Sequence, residues 1–138
     1  MMLDDVHAAL RTQLNVMVGT APIAWEGVKY DPPNGPFLQP YLLPAETFTP
    51  TMGDTFERLE GVFQVNVNTP AGSGSGVAEN LAEQVLALFR RGEALTSGGV
   101  TVVIQKSWRG AGTSDGVWYR IPVSIRFWAN IDEALLGN

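Results

Sequence analysis

Two hydrophobic periods alternate along the chain, and the points where one gives way to the other predict its elements. In the stretch GVFQVNVNTP, apolar Phe63, Val65 and Val67 alternate with polar Gln64, Asn66 and Asn68, the period of two of a strand buried on one face. AGSGSG breaks that strand. From Val77 to Arg91 the period becomes about 3.6. Val77, Ala78, Leu81, Val85, Leu88 and Phe89 share one broad face, and Glu79, Asn80, Glu83, Gln84, Arg90 and Arg91 lie opposite. The carboxylates fall early, the arginines late, and Gly92 suits a left-handed stop, so this is a helix laid across a sheet.

The same reading extends outward. Leu3, Val6, Leu10, Leu14, Met17 and Val18 recur at helical spacing and predict a helix over 3–18, closed by Gly19, with His7 at the edge of the apolar stripe. Ile23-Ala-Trp25 is a very short strand candidate. Six of the nine prolines lie between Pro32 and Pro50, which forbids a helix there. Phe37–Leu43 reads as a strand that Pro40 confines to an edge. Pro44–Thr55 reads as a long extended loop, and the apolar Phe48, Met52 and Phe56 mark the segment as one that packs on something.

Downstream, VTVVIQKSW (100–108) predicts a strand and GAGTSDG a flexible connection. Over 117–128 the alternation is cleanest. Val117, Tyr119, Ile121, Val123, Ile125 and Phe127 share one face; Trp118, Arg120, Pro122, Ser124, Arg126 and Trp128 share the other. NIDEALLGN closes with a short helical turn, Asn130 as N-cap. Strand 100–107 is expected parallel to strand 62–68 through a right-handed crossover, and the last two strands as a hairpin. The fold class is therefore α+β: one domain over 1–138, with a mixed β-sheet of about four to five strands and two helices packed on one face.

Composition narrows function by subtraction. Mean hydropathy is +0.04 and the apolar fraction is 45%, ordinary for a globular domain. No eighteen-residue apolar window is present for a membrane span, and MMLDDVHAAL is acidic where a secretory signal is basic. With no cysteine and one histidine, the chain offers no thiolate metal site. A net charge of −5 and a pI of about 4.7 disfavour non-specific binding to nucleic acid. That charge is uneven: residues 1–60 carry eight acidic and three basic side chains, residues 61–138 six of each.

No chemical motif survives scrutiny. Gly72, Gly74 and Gly76 give GxGxG rather than GxGxxG, no Lys-Ser/Thr follows, and Glu79 in the first turn of the helix would repel a phosphate. The paired carboxylates Asp4/Asp5, Glu57/Glu60 and Asp132/Glu133 read as solvated charge, and only His7 is available as a base for a serine. No catalytic residue, cofactor or metal ligand is expected. The outward residues of the last strand carry more information. Trp118, Arg120, Arg126 and Trp128 are of the types that dominate protein–protein hot spots, and with Phe48, Met52 and Phe56 they are the interface candidates.

Three segments together resemble the tail terminator proteins of long, non-contractile-tailed bacteriophages: PIAWEGVKYDPP with PFLQPYLLPAETFTPTMGD, then RLEGVFQVNVNTPAGSGSGVAENLAEQVLALFRRG, then DGVWYRIPVSIRFWA. The specific parts are Trp25 before Pro32-Pro33, the Gly61–Val67 strand, Leu88-Phe89-Arg90 and Trp118–Ile125. The resemblance implies a structural virion protein, not an enzyme. It would form a ring, usually of six subunits, that caps the growing tail tube, ends polymerisation and presents the head-joining surface. Its partners would be itself, the major tail tube protein and a head-completion or connector protein, with no sequence-specific nucleic acid and no membrane. It would sit at the head-proximal end of the tail and assemble in the host cytoplasm. An acidic subunit suits a ring through which DNA slides, and uneven charge suits a head-to-tail contact. Two alternatives stay open, a head–tail completion (neck) protein of the same architecture and a small-ligand or nucleotide-binding domain using the 72–76 glycine loop.

Overall fold

The structure, a computed structural model, describes residues 2–28, 35–43, 46–48, 56–72 and 74–132, with the side chains of all of these except 2–4, 46–48, 56–57 and 130–132. The elements are α1 (Met2–Leu14) with a 3-10 continuation (Asn15–Gly19), β1 (Phe37–Leu42), β2 (Glu46–Phe48), β3 (Phe56–Pro70), α2 (Gly76–Leu88), β4 (Ala94–Ser97), β5 (Val100–Arg109), β6 (Thr113–Ser114) and β7 (Trp118–Asp132). One sheet runs β1-β3-β7-β5-β4, with β2 added to β3 and β6 to β7.

Every ladder between these strands is antiparallel, which corrects the expected mixed sheet. Strands β3 and β5 do run in the same direction, as the α2 crossover requires, but β7 lies between them and pairs with both. The reason is length and apolar match. Both β3 and β7 are 15 residues long and pair end to end, setting Val67 against Ile121, Val65 against Val123 and Phe63 against Ile125 on the core face. Among the described residues a single parallel contact remains, the isolated bridge of Ile23 to Leu38 on the outer edge of β1.

That edge explains Pro40. The N–H groups of Leu38 and Leu42 point away from β3, to the Pro22 carbonyl at 2.9 Å and Glu26 Oε1 at 3.1 Å. Pro40 falls between them in the strand period, so its missing donor faces outward and costs the ladder nothing.

Both helices pack on one face of the sheet, as expected, α2 across β3 and β7 and α1 across β4 and β5. Val6, Leu10, Leu14 and Met17 of the first stripe are buried, and so are Ala78, Leu81, Val85 and Phe89 of the second. Phe63 and Phe89, both fully buried, meet with ring centroids 5.9 Å apart. Their burial contributes on the order of 1.5–3 kcal/mol each. The fully buried Ala82 joins this face unanticipated.

Several boundaries differ from expectation. Val18 is exposed because the 3-10 turn advances each residue further round the axis than an α-helix does, swinging it off the stripe. Val77 is exposed at the very start of α2. This helix ends at Leu88, so Arg90 and Arg91 lie beyond it, and Gly92 adopts φ +88° in the turn into β4 rather than as the helix cap. The orphan carbonyl of Leu88 is bonded instead by Gln13 Nε2 of α1 at 2.7 Å. Asn130 is a strand residue, opposite Arg58, because β7 continues to Asp132 beside β3, and the expected terminal helical turn loses its N-cap; residues 133–138 lie outside the described residues. Val117 is exposed and precedes the strand.

Candidate functional site: the uncovered sheet face

Among the described residues, the face of β3, β7 and β5 that points away from the helices has no element laid across it. It carries the even-numbered residues of β7, so Trp118, Arg120, Arg126 and Trp128 share it, as the alternation predicts. The structure divides them into two groups.

Trp118 and Arg120 form an internal network at one end. The Trp118 ring meets buried Phe37 of β1 edge-on, centroids 4.9 Å apart. Arg120 Nε donates to Asn68 Oδ1 at 2.8 Å, and its Nη2 lies 3.7 Å from Asp115. Asn68, although on the outward face, is fully buried, and its Nδ2 donates to Gln39 Oε1 at 3.0 Å. Asp115 accepts from the backbone N–H groups of Trp118 at 2.7 Å and Val117 at 3.2 Å. Those bonds, the Trp118 N–H first, hold its carboxyl below the ordinary 3.8, with the Arg120 charge helping and partial desolvation opposing.

Arg126 and Trp128 lie at the other end, with two residues the alternation alone misplaces. Buried Val100, Val102 and Ile104 put even positions of β5 on the core face, which would turn Lys106 and Trp108 toward the helices. A bulge between Ile104 and Lys106 resets the register. Beyond it Lys106 stands opposite Arg126 and Trp108 opposite Ser124, both on the uncovered face, while Arg109 turns inward to Glu83 of α2 at 3.2 Å. A lysine at a supposed core position was the available signal.

The result is a strip of cations and aromatics. Lys106 Nζ lies 5.3 Å from the centre of the Trp108 ring, which is 40% exposed. Arg58 lies over Trp128 at 4.4 Å, and its buried Nε has no hydrogen-bond partner among the described residues. Arg126 is exposed, opposite Val62; Glu60, opposite Trp128, is a carboxylate of this strip, and Glu46 of β2 and Asp132 of β7 hold register positions on the same face. Of the other interface candidates, Phe48 pairs in register with Arg58 and Phe56 with Asp132, with their side chains outside the described set; Met52 lies outside the described residues altogether.

The remaining concavities have little chemistry to offer. A cleft of about 430 Å³ between α1 and the 25–28 turn holds His7, Arg11, Asn15 and Glu26, of which Glu26 is engaged by the Leu42 N–H. A second of about 390 Å³ beside Gly72 and Gly74 is lined by Ser75, Ser114 and Tyr119 and by no lysine or arginine. No group of three or more metal-ligating side chains occurs among the described residues.

A family model for phage tail terminator proteins matches residues 5–127. The chain belongs to this family. Its role is accordingly that of a structural protein of the phage tail, a component of the virion that contacts other particle proteins. One solved structure superimposes on this terminator with a TM-score of 0.78 at 32% identity, covering 94% of this chain and 96% of its own. Another, a chain from the virion of a native gene transfer agent particle, gives 0.63 at 21% identity, with 94% and 97% covered, and shows that the fold is shared. No curated protein matches the terminator in sequence.

Proposed function

We propose that this terminator caps the growing tail tube as a closed ring, hexameric by the family resemblance, which ends tube polymerisation and offers the head its joining surface. The family match over 5–127 carries the reading. A subunit whose helix-covered side and open sheet side differ in chemistry suits head-to-tail association around an axis, the arrangement that closes into rings. The proline-rich residues 31–57, with Phe48, Met52 and Phe56, serve as a further contact with the neighbouring subunit, measurable as hydrogen-exchange protection gained on assembly.

The deciding experiment is electron microscopy of a phage lacking the protein, with and without complementation. Tubes of irregular, excessive length without heads, restored to uniform headed tails by the wild-type chain, are expected. Tails of normal length that merely fail to join heads, together with binding of the protein to filled heads and not to tubes, would overturn it in favour of a neck protein.

A further inference from the structure

We infer that the outer edge of β5 beyond its bulge, Gln105–Arg109, takes an added strand, an extended acidic segment of another protein of the particle. The inference does not depend on the subunits closing into a ring. The backbone of this edge, the charge around it and a cavity at its head carry it.

Strand β4 covers β5 only from Val100 to Val103, and the turn leading into β4 reaches one residue further, with the Gly92 N–H and the Glu93 carbonyl bonded to Ile104. Past that point β5 has β7 on one side and no strand on the other among the described residues. The Gly110 N–H donates to the Pro122 carbonyl at 2.8 Å. Bonded pairs recur at every second residue of an antiparallel ladder, so Trp108 and Lys106 also turn their backbone groups to β7. Ser107 and Arg109 turn theirs outward, where no described residue bonds them. The opposite edge of the sheet is closed at every outward donor of β1: the Leu38 N–H bonds Pro22, the Leu42 N–H bonds Glu26, and Pro40 has none. An edge that keeps its N–H and C=O groups free is completed by an extended chain.

The surroundings of the edge select which chain. Arg90, Arg91 and Lys106 stand there against Glu93, while Arg109 is engaged by Glu83. The carboxylates of the uncovered face lie elsewhere: Glu60 and Glu46 are on β3 and β2, one and two strands beyond β7, and Asp132 is at the far end of β7, past Trp128. A segment carrying Asp or Glu therefore complements this edge. At its head, Arg91, Gly92, Val103, Gln105 and Trp128 line a cavity of about 360 Å³, which receives a side chain of the incoming strand. Main-chain bonds then supply affinity and the cavity supplies selectivity. A second copy of this chain fits less well. Its β1 edge is closed, and its own β4–β5 edge would bring another Arg91 and Lys106 to the first pair.

Ser107→Pro removes one outward donor and leaves the β7 ladder its bonds, as Pro40 does in β1. With p-benzoylphenylalanine in place of Gln105, irradiated particles should yield an adduct to a different virion protein, at a stretch rich in Asp and Glu. Ser107→Pro should reduce that adduct at least about tenfold while the variant still melts cooperatively. Should Ser107→Pro misfold, the wild-type chain is titrated with a blocked Thr-Val-Glu-Val-Asp-Val-Thr peptide and followed by NMR. The peptide should shift the amide signals of Ser107 and Arg109, and its counterpart N-methylated at alternate residues should bind at least about tenfold more weakly. Adducts only to a second copy overturn the assigned partner and give the edge to self-association. No adduct, or one that Ser107→Pro leaves undiminished, overturns strand addition altogether, and so do two peptides that act alike.

Discussion

Arg120 donates its Nε–H to the Oδ1 of Asn68, a side chain with no solvent exposure on the face of the sheet that has no helix over it. The pair sits directly across β3 and β7, and Asn68 passes the chain of bonds on to Gln39 of β1, so one amide ties three strands together. Replacing Asn68 with Ala leaves Arg120 and Gln39 without their partner at a buried site. The expected loss is about 1–3 kcal/mol in urea unfolding. The same variant should leave assembly per folded molecule unchanged, because Trp118 and Arg120 are engaged inside their own subunit.

How far the sequence disclosed this arrangement varies element by element. The two helix faces, the edge position of β1 and the alternation of β3 and β7 were legible because each is written in a local period. Strand β4 was missed although Gly98-Gly99, between Ser97 and Val100, is a two-residue hairpin signal; their φ values of +57° and +82° fit the mirror-image turn that such hairpins use. The place of β7 between β3 and β5 had no local signature, since alternation says which face a residue takes and not which strand lies beside it. Burial of Asn68 was hidden for a similar reason, as it depends on Phe37, Gln39 and Arg120 arriving from two other strands. The bulge had the faintest trace, a charged residue in step with the core.

Glycine 98 is constrained from two directions. Its φ of +57° disfavours a side chain, and a Cβ there would run into the Asp5 carboxylate of α1. Gly98→Ala should cost on the order of 1–3 kcal/mol, and part of that should return in Asp5→Ala/Gly98→Ala. Gly99→Asn has open space and a backbone conformation that Asn accepts, so it should be nearly neutral. Thermal melts of the three variants check this, and equal losses at 98 and 99 would mean that Asp5 does not limit the turn.

Asp115 makes stability depend on pH at the acid end. Its folded pKa is lowered, chiefly by the Trp118 N–H, so its contribution is fully present above the ordinary carboxylate value of 3.8. It is lost as pH falls through the lower folded value. The difference in urea midpoint between wild type and Asp115→Ala should therefore be largest near neutrality and shrink below about pH 4. Asp115→Asn keeps an acceptor oxygen for Val117 and Trp118, so it should retain part of the stability with no titration of its own. A difference that grows on acidification would contradict the assigned cause.

The glycine loop before α2 should bind no nucleotide tightly. Gly72 and Gly74 give the backbone its positive φ, at +90° and +83°, but the cleft beside them has no lysine or arginine in its lining, and Glu79 stands in the first turn. Titration with ATP, GTP and NAD should give dissociation constants weaker than about 10 μM, or roughly −7 kcal/mol. A tighter value for any of them would revive the nucleotide-binding reading.

The bulge itself can be tested by removing it. Ile104 pairs with Phe127 and Lys106 with Arg126, so Gln105 is the extra residue that no β7 residue opposes. Deleting Gln105 joins Ile104 to Lys106 as consecutive members of a regular ladder, with the residues on both sides keeping their partners. Lys106 and Trp108 should then stay on the uncovered face, and Arg109 should still reach Glu83. The cost is limited to lost local twist, on the order of 1 kcal/mol, the usual scale of a point change. Inserting a second residue after Gln105 leaves two residues unopposed, and restoring the regular ladder around a single bulge would turn Lys106 and Trp108 toward α2. That change should cost more, since it presses a charge into the core. Acrylamide quenching of tryptophan fluorescence reads the outcome, because Trp108 is the most exposed aromatic on the strip. Quenching retained in the deletion with only a small loss of stability is expected; a deletion that unfolds the chain, or shields Trp108, would mean that the twist at Gln105 and not the register holds Lys106 outward.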